Sequence, residues 1–219
     1  MAAENIKSPT KQDIITKYTD YCLINGKRPA TVYKFAKDND FEEADFYKFF
    51  SSFEVLEHQY FTEIFTYTLE MLEQSPAYAE YDGTQKLSAF YFTFFEMATA
   101  NRSFIMYLMG DGNSSLRNLL KLKELRKVFT TYAVEVLDKP LTVENEKADK
   151  AQDKAMREAA WLQFISVFKF WMTDTSPSFE KTDILIEKSV QVSSELLYNT
   201  PLQSLFDLGK FLWKEKFTV

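Results

Sequence analysis

The stretch INGKRPATVYKFAKDNDFEEADFYKFFSSFEVL, residues 24–56, decides how the chain is read. Asn25-Gly26 marks a helix stop, because glycine accepts the left-handed cap conformation without steric cost. Lys27-Arg28-Pro29-Ala30 is then a short loop. Thr31 is placed to cap a short helix that carries Val32, Phe35 and Ala36 inward. A turn at Asn39-Asp40-Phe41 leads to a second short helix and to the aromatic run Phe46-Tyr47-Lys48-Phe49-Phe50. Ser51-Ser52-Phe53-Glu54 has the S-x-x-E capping-box pattern and opens a long helix. Two short helices about a tight turn, behind a longer one, form the helix-turn-helix layout.

Working outward, the punctuation and the apolar spacing stay helical. Ser8-Pro9, Ser176-Pro177 and Thr200-Pro201 each set a capping hydroxyl before a proline suited to the first helical position. Gly26, Gly83 and the Gly110-Asp111-Gly112-Asn113 cluster read as stops or turns. The spacing predicts helices over 9–25, 31–38, 42–50, 52–74, 84–101, 103–109, 115–137, 148–173, 178–198 and 201–216. Ile14, Ile15, Tyr18, Cys22 and Leu23 give the first helix its inward stripe. Phe90 to Met97 is apolar on nearly every side; its length alone suits a strand, but the flanking Leu87, Ala89, Ala98 and Ala100 favour a buried helix. The charged run Glu144 to Lys154 reads as a loop passing into a solvated helix start, with a disordered segment as the alternative reading.

The chain has 219 residues, with only 5 Gly and 6 Pro against 21 Phe, 12 Tyr and 3 Trp, a composition suited to long helices around an aromatic core. No G-x-G-x-x-G or Walker A string occurs. One cysteine, Cys22, rules out an intrachain disulfide and a cysteine-based zinc site, and one histidine, His58, rules out a His-pair metal site. The expectation is therefore a protein that is not an enzyme, with no cofactor and no metal. Net charge is −6, so no global attraction to nucleic acid exists, although a local basic patch can still bind phosphate. The N-terminus has no apolar stretch of signal-peptide type, and the expected location is cytoplasmic.

Over residues 10–60 the sequence resembles the TetR family of one-component transcriptional regulators. The resemblance rests on Asn25-Gly26, Thr31-Val32, Phe35-Ala36, Phe41, Phe46-Tyr47, Phe50, Glu54 and Leu56. It implies an all-α chain with a three-helix DNA-binding unit over 1–51 and a helical ligand-binding and dimerisation domain over 52–219. It also implies a homodimer formed through helices 148–173 and 178–198. The DNA contacts it implies fall on Lys27, Arg28, Thr31, Lys34, Tyr47 and Lys48. The chain departs from the family where Asp40 replaces the usual turn glycine, where Glu42, Glu43 and Asp45 replace small polar or basic residues, and where Phe53 replaces a phosphate-contacting lysine. Residues 38–48 carry five acids and one base, and acids oppose phosphate contact.

Three further segments carry information. Phe90, Tyr91, Phe94, Met97, Met106 and Tyr107, with Trp161, Phe164 and Phe168, are large, adaptable side chains that can enclose a hydrophobic small molecule or lipid; a solid core is the other use for them. Asp174, Ser176, Pro177, Phe179, Glu180 and Thr182 meet the D-x-S-P-x-F-E-x-T string of the ubiquinone-biosynthesis lipid-binding family, which this region is similar to. The same residues also suit a capped turn between two helices. Residues 201–217 form an amphipathic pattern with Leu202, Leu205, Phe206, Leu208, Leu212, Trp213 and Phe217 on one face. Such a helix packs on the body or on a partner subunit, or makes a peripheral membrane contact.

Overall fold

The computed structural model describes residues 8–110, 116–137, 139 and 146–198. Among them every regular element is helical: α1 (Lys11–Asn25), α2 (Val32–Asp38), α3 (Glu43–Tyr47), α4 (Phe53–Glu73), α5 (Pro76–Ala79), α6 (Gly83–Ala100), α7 (Arg102–Met109), α8 (Leu116–Leu119), α9 (Lys123–Val136), α10 (Glu146–Thr173) and α11 (Glu180–Tyr198). A 3-10 turn at Leu120–Leu122 joins α8 to α9, and another at Pro177–Phe179 precedes α11. The all-α expectation holds, and Phe90 to Met97 lies within α6.

The ends of the helices refine the sequence reading. Thr10, not Ser8, caps α1: its hydroxyl accepts from the Asp13 N–H at 3.1 Å while the Asp13 carboxylate accepts the Thr10 N–H at 2.8 Å. Pro9 thus lies ahead of the cap. Ser52 rather than Ser51 caps α4, accepting from the Val55 N–H at 3.2 Å. Thr31 caps α2 as expected, accepting from the Lys34 N–H at 3.1 Å. Gly26 closes α1 in the left-handed conformation, φ 64.

Gly83 is not a stop but the first residue of α6. A Cβ there would stand 2.1 Å from the Val136 carbonyl oxygen, so the end of α9 and the start of α6 meet where only glycine fits. The unexpected α5 follows Ser75-Pro76, the same hydroxyl–proline signal read elsewhere. α10 starts at Glu146, inside the charged run, with Glu146–Lys150 at 2.5 Å one turn apart and Lys139 reaching Asp149 at 2.8 Å. The 201–217 amphipathic segment and Thr200-Pro201 lie outside the described residues.

The described residues pack into two compact units, one drawn from 1–70 and 94–128 and one from 71–93 and 129–219. In the first, Tyr18 is central: its ring stacks on Phe53 at 5.0 Å and meets Phe35 and Phe104 edge-on at 6.0 and 6.1 Å. Such aromatic pairs each add about 0.5–1.5 kcal/mol beyond their buried area. In the second, Phe90, Phe129, Phe164, Phe168 and Trp171 are completely buried.

Candidate functional site

The helix-turn-helix is built from aromatic packing. Phe35 of α2 and Phe46 of α3 are both buried, and Phe53 at the start of α4 meets them at 5.6 and 5.2 Å. Phe53, standing where the resemblance places a phosphate-contacting lysine, is thus a core residue. The turn between α2 and α3 is drawn tight by the Phe41 N–H donating to the Ala36 carbonyl at 3.1 Å and by the Asn39 side-chain amide donating to the Phe35 carbonyl at 2.8 Å. Asp40 takes φ 59 there. The backbone keeps the left-handed turn that glycine would adopt freely, and aspartate tolerates it better than most residues.

The six residues nominated for DNA contact are engaged within the protein to different degrees. Lys48 pairs with Asp45 at 2.5 Å, Lys34 with Asp38 at 3.0 Å, and Arg28 with Glu57 at 2.9 Å. Lys37, beside them in the sequence, pairs with Glu42 at 3.4 Å. The Tyr47 hydroxyl lies 3.3 Å from Glu43, and Thr31 is occupied as the α2 cap. Lys27 is exposed, with no carboxylate partner among the described residues. The acids of α2, the turn and α3 therefore act as counter-ions for the bases. Residues 27–48 carry five bases and five acids, so the face is neutral as a whole. Lys48 beside Asp45 holds that carboxyl below its usual range, and Asp38 raises the Lys34 ammonium.

Behind this face lies a buried carboxylate that the sequence reading passed over. Glu57 of α4 is 2% exposed in its side chain. Its Oε1 accepts from the Tyr18 hydroxyl at 2.7 Å and from Arg28 Nη2 at 2.9 Å, and its Oε2 stands 3.3 Å from Lys121 Nζ. Burial pushes the Tyr18 hydroxyl far above its ordinary pKa, and Glu57 adds to the shift. Burial works against the Arg28 charge, but Glu57 and Tyr18 outweigh it and the guanidinium pKa rises. Burial, then Cys22 and Glu57, push Tyr107 up to about 12, and burial raises the Cys22 thiol. Cys22 is buried, as its place on the inward stripe predicts.

The nine residues nominated for a hydrophobic ligand fall in both units. In the second unit, Tyr91 meets Phe164 at 6.1 Å, Trp161 stacks on Phe164 at 5.5 Å, and Phe164 stacks on Phe168 at 6.1 Å. Phe90 joins this group through Phe129, 5.4 Å from Phe90 and 4.7 Å from Phe164. Phe129 and Tyr132 were not nominated, although with Ala133 they form a helical inward spacing on α9. In the first unit, Phe94 is buried beside Phe95 at 5.5 Å, Tyr107 stacks on Phe104 at 5.9 Å, and Met97 and Met106 are partly buried.

The Asp174-to-Thr182 string is a capped turn. Asp174 Oδ1 accepts from the Ser176 N–H and hydroxyl at 2.8 and 2.7 Å, and Oδ2 accepts from the Thr182 N–H and hydroxyl at 3.0 and 2.7 Å. Burial would raise this carboxyl, but the donors on Ser176 and Thr182 hold it down at about 2. Ser178 and Phe179, at φ 52 and 61, are both left-handed within the turn. These contacts account for Asp174, Ser176 and Thr182 without a ligand.

Among the described residues no group of three or more His, Cys, Asp or Glu side chains could hold a metal ion, and no helix is long and apolar enough to cross a membrane. Residues 86–212, more than half of the chain, match the family described as tetracyclin repressor-like, C-terminal domain. No curated protein matches the chain.

Proposed function

We propose that this chain, which belongs to the tetracycline repressor-like family, is a dimeric regulator that binds duplex DNA weakly through residues 27–48 and is released by a hydrophobic effector. One observation carries the reading: the α2–turn–α3 unit keeps its geometry, including the left-handed residue at Asp40, and leaves Tyr47 and Lys48 of the would-be recognition segment exposed. The ion pairs set the strength. A phosphate must compete with Asp45 for Lys48 and with Asp38 for Lys34, and shares Arg28 with Glu57, so affinity is low and falls steeply with salt.

Dimerisation is supported by apolar side chains left exposed on the last two large helices: Leu162 and Phe170 on α10, and Ile184, Val192 and Leu196 on α11. Two-fold pairing of such faces forms a four-helix interface. Sedimentation should find a dimer at micromolar concentration. The aromatic cluster around Phe164 supports an elongated apolar effector.

The test is a salt titration of binding to random and native-promoter duplexes. Log affinity should fall with log salt by about 0.9 per phosphate engaged, and Arg28→Ala and Lys48→Ala should each reduce that slope by about 1. The neutral face favours a second reading, a relative that carries a lipid and leaves DNA alone. Absence of any salt-dependent binding at low ionic strength would select it, and native mass spectrometry should then show an added mass of lipid size.

A further inference from the structure

We propose that Glu57 is a positioning residue through which the segment following α7 sets the Arg28 loop of the helix-turn-helix; this rests on, and deepens, the regulatory reading above. The geometry is a bridge within one compact unit. On one side Arg28, in the loop that enters α2, donates to Glu57 Oε1. On the other, Lys121 Nζ lies 3.3 Å from Glu57 Oε2 and also donates to the Leu108 carbonyl at 2.7 Å, near the end of α7. One buried carboxylate thus faces two cations from segments far apart in the chain.

The arrangement has a direction. Arg28 keeps 48% of its side chain exposed and uses a single Nη on Glu57, so the rest of its donor fork stays available to a phosphate. Lys121 is 23% exposed, less than half as open to solvent as Arg28. Charge explains why the two ends communicate. Two cations share one buried carboxylate, and weakening one contact leaves the other to carry it. When Lys121 withdraws, Glu57 reorients toward Arg28 or toward solvent, and the loop ahead of α2 shifts with it. Tyr107, stacked on Phe104 in the same unit and nominated for effector contact, is among the groups that sense Glu57 and Cys22. An effector displacing α7 or the 116–122 segment would therefore act on Arg28 without touching it.

The experiment is a double-mutant cycle on the full chain with Lys121→Met and Arg28→Ala. Hydrogen exchange is read at the amides of residues 26–28 and 30–32, and affinity is read for a random-sequence duplex. Lys121→Met should raise exchange in that loop and weaken DNA binding between about twofold and about thirtyfold, the range for a mutation along a coupling network. In the Arg28→Ala background it should weaken binding no further, because its effect passes through Arg28. Lys150→Met, on the exposed start of α10, should change neither readout. Unchanged exchange in the loop of Lys121→Met, or additive effects on affinity, overturns the proposal. If the wild type binds no DNA, the regulatory reading fails by itself, and the exchange data still decide whether Lys121 sets the loop.

Discussion

Glu57 and Asp174 are both buried carboxylates, one in each compact unit, and they are held in opposite ways. Glu57 gathers Tyr18, Arg28 and Lys121, a hydroxyl and two cations from distant parts of the chain. Asp174 is held by the backbone and hydroxyl groups of Ser176 and Thr182, all within eight residues. The first is a charge cluster that ties the loop ahead of α2 to the interior. The second is a local capping device at the start of α11, where an anion also complements the helix dipole. A buried charge met by counter-charges makes the position of each partner depend on the others. A buried charge met by neighbouring neutral donors only shapes its own turn.

The sharpest way to break this contrast is to truncate the first carboxylate. Glu57→Ala should cost about 2–4 kcal/mol, measured by denaturant unfolding. It strands the Tyr18 hydroxyl and removes the counter-charge of two cations. The cost falls below that of breaking a fully buried pair because Arg28 is half exposed and can hydrate.

The next test uses pH on the second carboxylate. Asp174 titrates at about 2 in the fold against an ordinary 3.8, so its folded pKa is depressed. Its contribution is complete above the ordinary value and disappears as pH falls from about 4 toward 2. Asp174→Asn should therefore be less stable than the wild type at neutral pH and lose that disadvantage by pH 2. A gap unchanged across this window would show that the carboxylate charge does not matter there.

The smallest expected effect is at the turn. Asp40→Gly should stabilise the first unit by at most about 1 kcal/mol, since glycine takes φ 59 without strain. Removing an acid from the face proposed to meet DNA should also strengthen duplex binding at low salt. If stability rises and binding does not, the acids of this face are not what limits affinity.

Much of this was readable in advance, for a common reason. The helix-turn-helix, the Thr31 cap, the Gly26 stop and the capped turn at Asp174 all depend on residues a few positions apart. Local sequence spacing also foretells pairs such as Lys34–Asp38, one turn apart on α2. The displaced caps at Thr10 and Ser52 were misread because adjacent hydroxyls compete for the same role and packing chooses between them. Glu57 was passed over because nothing in its sequence surroundings distinguishes it from Glu63 or Glu70 on the same helix.

The sequence by itself determined an all-helical chain, the helix-turn-helix and the aromatic faces, because helical periodicity and capping are short-range. Tertiary structure decided that Arg28, unlike Lys34 and Lys48, is met by an acid far along the chain. It decided that Phe53 is core rather than contact, and that Gly83 lies against the Val136 carbonyl. It also decided that Arg28 and Lys121 meet on one carboxylate. Those outcomes depend on which distant side chains arrive within about 3 Å of each other, a distance at which charge and steric exclusion act and which no local spacing encodes.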